Sequence, residues 1–244
     1  APPLDESAWK MHCQRLLSPG PEQSAFLGLE TQTNKVDDLY VNYRGMKSVQ
    51  LPWPERKHDV SVLYVRLPTP CLEERGPEQV RALALELAEE LPFNSGYVDF
   101  AVCASPWNFN EVLPLIHPRH PGIHLAPLSA RLRMDTWVDG VHWMNFLGAP
   151  VLDQLGGITG LRQALPLPGI SIEELGMDRV LILLGDHPDP GDPQTGRTLP
   201  RHRALARLLE PSLHHWPSSD IQVATGRLRR WEHRFLDAPE SDPT

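Results

Sequence analysis

The chain has 244 residues, enough to bury about 70% of its unfolded surface around one core, and its 41% hydrophobic and 22% charged residues exclude a wholly disordered protein. No run approaches the roughly 20 apolar residues of a membrane-spanning helix, and Ala1-Pro2-Pro3-Leu4-Asp5-Glu6 lacks the basic start and apolar stretch of a signal peptide, so a cytoplasmic protein is expected. The formal charge of −8 is uneven: from Arg197 to Arg234 eight arginines stand against three acids, a net +5 that leaves −13 for the remainder, and such an acidic body repels nucleic acid and steers a basic partner.

Asp5 is placed to cap a first helix over 7–17, where Ala8, Met11, Cys13 and Leu16 make a weak apolar stripe before Ser18-Pro19-Gly20-Pro21 stops it. Strands are predicted over 25–30, 36–43 and 60–67. In the last, Val60, Val62, Tyr64 and Arg66 share one face and Ser61, Leu63, Val65 and Leu67 the other, which predicts partial cover on both. Gly76-Pro77 starts the clearest helix, over 77–91. Val80, Leu83, Ala84, Leu87, Ala88 and Leu91 recur there at helical spacing, Arg81, Glu86, Glu89 and Glu90 take the opposite side, and Pro92 ends it. The stripe is expected to lie against a mixed sheet that contains 60–67.

A strand over 97–104 leads into a connection over 105–127, read as a folded surface loop because Trp107, Phe109, Leu113, Leu115 and Ile116 need burial. Alternation over 138–147 predicts a strand with Val141, Trp143, Asn145 and Leu147 opposite His142, Met144 and Phe146. A helix interrupted at Gly156-Gly157 follows, then a short apolar strand over 179–184. Gly185 to Asp192 is a turn-rich loop, Pro200 opens a helix that Pro211 ends, 221–224 adds a strand, and 238–244 is a flexible tail. Helices interspersed with strands, without the cadence of a doubly wound sheet, predict an α+β fold: a mixed, largely antiparallel sheet with helices packed on its faces.

Cys13, Cys71 and Cys103 are odd in number and far apart, which suits reduced thiols. No G-x-S-x-G elbow, H-E-x-x-H pair or Walker loop is present; the glycines at 156, 157 and 160 read as a turn, and Ser95 beside Gly96 has no identifiable base nearby in sequence. His117, His120 and His124 form the one histidine cluster with metal-ligand chemistry, with Asp135 or His142 as further donors if the fold brings them near; proline-rich surface turns account for the same residues. Asp186, His187, Asp189 and Asp192 offer carboxylates for a divalent cation, but their alternation with Pro and Gly specifies tight turns first. No catalytic residue, metal or cofactor is therefore expected.

Arg227, Arg229, Arg230 and Arg234 surround Trp231, a pattern that fits phosphate contact with base stacking. Packing of Trp231 and Phe235 onto the domain, with the arginines at its surface, fits better, so direct nucleic-acid binding is not expected. Trp53, within Leu51-Pro52-Trp53-Pro54, and Trp107 are either core anchors or exposed anchors for a partner.

Several connected stretches carry a further resemblance: 72–88, beginning Leu72-Glu73-Glu74-Arg75-Gly76-Pro77; Leu91-Pro92-Phe93-Asn94-Ser95-Gly96-Tyr97; Arg119-His120-Pro121-Gly122-Ile123; 138–150, with Val138-Asp139-Gly140-Val141-His142-Trp143; Leu155-Gly156-Gly157; Leu199-Pro200; and Arg230-Trp231-Glu232-His233-Arg234-Phe235-Leu236. Spanning most of the chain, they resemble the DUF3396 group, also called the type VI immunity family. Members usually carry an N-terminal strand, and the expectation here is a single α+β domain over 1–237 without that strand. The resemblance implies an immunity protein and not an enzyme, one that binds and neutralises a cognate secreted antibacterial toxin, in some cases a nuclease, by stoichiometric occlusion. Toxin-facing candidates are Asp186, Asp189, Asp192, Trp53 and Trp107, because carboxylates can occupy a groove built for phosphate and aromatic side chains anchor interfaces. The alternative is a metal-dependent hydrolase using a His/Asp loop site.

Overall fold

The computed structural model describes residues 5–17, 25–30, 39–45, 60–102, 108–117, 119–125, 134–176, 178–215 and 225–237. Trp53, Cys103, Trp107, the strand expected over 221–224 and the tail over 238–244 lie outside the described residues. The chain divides into two units, 1–76 with 131–135, and 77–130 with 136–244.

In the first unit, Asp5 Oδ1 accepts a hydrogen bond from Ala8 N at 2.7 Å, satisfying one donor that a helix start leaves open, and α1 follows over Glu6–Leu17. β1 (Ala25–Glu30), β2 (Tyr40–Gly45) and β3 (Val62–Arg66) form an antiparallel sheet in that order. Leu27 stands opposite Tyr43, and Val41 opposite Val65. Every residue of β3 is half-buried, the partial cover on both faces that its composition predicts. Cys13 and Cys71 are free thiols.

α2 spans Thr69–Glu90 with a break at Gly76, whose φ of 77° favours glycine, and Pro77 opens its second part. The second unit then runs β4 (Ser95–Val98), β5 (Ala101–Val102), α3 (Phe109–Ile116), β6 (His124–Leu125), β7 (Met144–Leu147), α4 (Ala149–Gln154), α5 (Gly157–Ala164), β8 (Ser171–Glu174), β9 (Val180–Leu183), α6 (Pro200–Leu209) and α7 (Thr225–Glu232). Its main sheet is antiparallel in the order β4-β7-β9-β8, and β5 pairs with β6 in parallel. The α+β class with largely antiparallel sheets is the one expected.

The alternation of β7 and β9 divides the core in two. Leu147, Val180 and Ile182 join Val151 and Leu152 of α4, Leu161 of α5 and Leu205, Ala206 and Leu209 of α6 in one cluster. Met144, Phe146 and Leu181 join Trp143 and Ala88 in the other, with Val80, Ala84 and Leu85 of α2 packed against it. A buried leucine here contributes about 2–5 kcal/mol relative to alanine.

This arrangement corrects the expectation for α2 in two respects. Its partner is the four-stranded sheet, whereas β3 belongs to the sheet of the first unit. The buried stripe is also rotated toward Arg81 and Leu85: Leu83 is 37% exposed, and Arg81 bonds both oxygens of Glu173 on β8, at 2.6 and 2.7 Å. The contiguous apolar run over 82–85 allows adjacent helical phases, and long-range polar contacts select between them. Arg179, buried just before β9, donates through Nη1 to the carbonyls of Ala88 (3.1 Å) and Leu91 (2.9 Å) at the end of α2.

Three further expectations change. Only Met144–Leu147 of the stretch over 138–147 is a strand, because Asn145 Oδ1 accepts from His142 N at 2.9 Å and its Nδ2 donates to His142 O at 2.7 Å, closing a local turn against the ladder. The connection over 105–127 contains α3, which buries Phe109 and Leu113 but leaves Leu115 76% exposed. Pro114 inside α3 cannot donate to Asn110 O, which accepts from Arg227 Nη1 at 3.3 Å instead. Trp231 and Phe235 are buried and Arg227, Arg229 and Arg230 exposed as expected, but Arg234 is buried as well. The described helices include none long and apolar enough to cross a membrane.

Leu83→Asp should therefore lower stability by less than about 1 kcal/mol. Arg179→Met, which strips the Ala88 and Leu91 carbonyls of their charged donor, should cost about 2–4 kcal/mol in urea denaturation. Matching midpoints for Arg179→Met and the parent would contradict its role at the end of α2.

Candidate functional site

The acidic loop after β9 is organised by its own backbone and by two arginines. Asp189 Oδ1 accepts from Gly191 N at 2.9 Å and pairs with Arg197. Asp192 and Arg197 exchange backbone hydrogen bonds at 3.0 and 2.9 Å, and the Asp192 carboxylate lies 3.7 Å from Arg119. The loop is also stitched to the segment before β6. Gly122 N donates to Pro190 O at 2.9 Å, His120 Nδ1 lies 2.9 Å from Gly191 O, and a side chain at Gly122 would collide with the Asp189 carbonyl. Asp186 is exposed, Asp189 half-buried and Asp192 buried. Of the three residues, Asp186 is the most exposed, while the Asp189 side chain keeps 38% exposure beside Arg197 and that of Asp192 only 12%.

A second polar constellation lies inside the unit. The β4–β7 register sets Val98 opposite Met144, so Asp99 falls beside Trp143, whose N donates to Asp99 Oδ2 at 3.2 Å. Asp99 Oδ2 is 3.5 Å from His142 Nδ1, and Asp139 Oδ2 is 3.3 Å from His124 Nε2. His142 stacks on Tyr97 with centroids 3.8 Å apart, and His124 meets His142 edge-on at 4.7 Å. Arg234 lies over Trp231 and donates through Nε to Pro121 O at 2.8 Å and through Nη1 to Trp231 O at 2.9 Å.

Burial pushes the Asp99 carboxyl up to about 8, against the pull of the Phe100 and Trp143 backbone donors and of Arg234. Burial likewise pulls Arg234 down to about 10, opposed by Asp99 and then Asp139, so the guanidinium stays charged at neutral pH. The fold thus separates the histidines that the sequence groups. His117 Nε2 lies 3.1 Å from Arg230 O, His120 turns to Gly191, and His124 alone enters the interior, where His142 joins it. Asp135 falls in the first unit. Asp99 and Asp139 escaped sequence reasoning because a single carboxylate in an apolar stretch has no periodic signature, although Asp139-Gly140-Val141-His142 does set two donors three residues apart.

The family described as type VI immunity for VRR-NUC, TsiV, matches residues 3–235. This chain belongs to the TsiV family. The match bears out the type VI immunity part of the resemblance and carries no support for the DUF3396 label. Among solved structures, the chain is similar to the Pseudomonas aeruginosa T6SS protein PA0821, with a TM-score of 0.70 at 20% identity, covering 91% of this chain and 66% of that one. The likeness shows a shared fold, and this TsiV chain spans 66% of the PA0821 chain's length. No curated protein matches it.

His202 on α6 tests the polar interior through pH. It is 2% exposed, its ring lies 5.3 Å from that of Phe235, and burial lowers its pKa to about 4. Because the unfolded imidazole titrates near 6.5, the unfolded chain binds the proton first. This stability contribution is therefore present above about pH 6.5 and lost as pH falls through about 4, amounting to about 2.5 kcal/mol by pH 4.5. His202→Leu should flatten this limb of stability against pH in urea titrations at pH 7 and 4.5. An unchanged slope would contradict the neutral buried imidazole.

Proposed function

We propose that this chain is a stoichiometric protein inhibitor that acts in the cytoplasm, binding a VRR-NUC nuclease toxin of a type VI secretion system and occluding its catalytic cleft or substrate path without chemical turnover. The observation that carries the reading is the TsiV family match over residues 3–235. The charge distribution supports it. A nuclease groove that accepts phosphate is basic, and the −13 carried outside the span from Arg197 to Arg234 steers the two proteins together. Exposed Glu73, Glu74, Glu78, Glu86, Glu89 and Glu90 line α2. The non-enzymatic reading is supported by the burial of His124, Asp139 and His142, which gives a substrate no direct access to them.

The toxin-facing residues of this proposal are Asp186, Asp189, Asp192, Trp53 and Trp107. Asp186 is the cleanest probe: Asp189 and Asp192 also hold their loop, so Lys at either position disturbs folding as well as charge. Titrated into a DNA-cleavage assay of the cognate toxin, the chain should bring activity to a plateau near one equivalent. Asp186→Lys should slow association about two- to tenfold at low salt, with the difference shrinking as salt screens the field. Progressive loss of toxin activity at substoichiometric chain would overturn the occlusion mechanism in favour of an enzyme.

A further inference from the structure

We propose that His124, Asp139 and His142 bind one transition-metal ion of the Zn²⁺ class, which cross-links β6 to the segment before β7 as a structural site. This goes beyond toxin binding and does not depend on it. One potential ligand atom from each residue lies within 4.8 Å of the others, and all three residues are buried. Two imidazoles and a carboxylate form a borderline donor set suited to Zn²⁺ and its neighbours and poorly suited to Ca²⁺ or Mg²⁺.

The spacing of one pair in the set matches that of two ligands on a common ion. His124 Nε2 and Asp139 Oδ2 are 3.3 Å apart, longer than the roughly 2.7–2.9 Å of a charge-assisted hydrogen bond. Metal bonds of about 2.0–2.1 Å in tetrahedral geometry place neighbouring ligand atoms about 3.3 Å apart. Around this set lies the kind of surround that metal-binding histidines use. Asp99 Oδ2 stands 3.5 Å from His142 Nδ1, and Tyr97 stacks on the same ring. Tyr97 and Trp231 also flank His124, at 5.1 and 5.4 Å between ring centroids.

A fourth ligand would be a water or the second oxygen of Asp139. Closure of the site gives it a structural character, since a catalytic ion keeps an open position for substrate. Asp139 also lines a small pocket with His215, Trp231 and Glu232, the side from which an ion would reach the site.

The test uses the full chain, unfolded in urea with chelator, then refolded with one equivalent of Zn²⁺ or Co²⁺ or with none. Refolding with Co²⁺ should retain one ion per chain after desalting and give the strong visible absorption of a four-coordinate site. Zn²⁺ should raise the thermal midpoint by about 5 °C or more. His124→Gln and Asp139→Asn should lose the Co²⁺ spectrum, and His120→Gln should keep it. Should either site variant fail to fold, the parent's cobalt spectrum and its zinc-dependent midpoint still decide. A folded parent that retains no Co²⁺ and has the same midpoint with and without Zn²⁺ overturns the site, as does a His124→Gln variant that folds and keeps the cobalt spectrum.

Discussion

Burial of β7 and β9 on both faces is the constraint on which the second unit depends. Each strand has only four residues and must fill two cores at once, Leu147, Val180 and Ile182 on one side and Met144, Phe146 and Leu181 on the other. Such short central strands leave little room for polar groups within the sheet. The chemistry is therefore pushed to the strand ends, where the β4–β7 register brings Asp99 beside Trp143 and His142. The acidic loop has the same origin. It begins two residues after β9, and Gly185 O is held by the Trp143 indole N–H at 2.8 Å.

Much of this architecture is legible in the sequence, where local chemistry decides the outcome. Asp5 caps α1, Gly76-Pro77 restarts α2, Gly156-Gly157 separates α4 from α5, and Pro200 opens α6, each through backbone preferences of those residues. What escaped depends on partners distant in sequence. The phase of α2 is chosen by Glu173 and Arg179, about 90 residues away, and no periodicity within 77–91 encodes that choice. β8 and α7 are too short and too polar to announce themselves, and Arg234 is buried only because carbonyls of Pro121 and Trp231 receive it.

The candidate site was less legible than the fold. The sequence groups histidines by proximity along the chain, but the structure turns His117 and His120 toward backbone carbonyls and pairs His124 with residues from beyond position 138. The acidic loop reads correctly as a set of turns. Its carboxylates separate into one without a cation in reach among the described residues, Asp186, and two that hold the loop, because Arg197 and Arg119 lie within reach of Asp189 and Asp192. Exposed carboxylates on the surface and a buried polar cluster inside are thus separate features of the same unit.

Occlusion makes one demand that stability measurements leave untouched: toxin bound to this chain must be unable to hold DNA. A catalytically inactive VRR-NUC toxin, loaded with a fluorescent duplex and followed by polarisation as the chain is added, tests this directly. The account predicts release of the duplex, complete near one equivalent once concentrations exceed both dissociation constants. A ternary complex, in which the chain binds the toxin and the duplex stays bound, would contradict it.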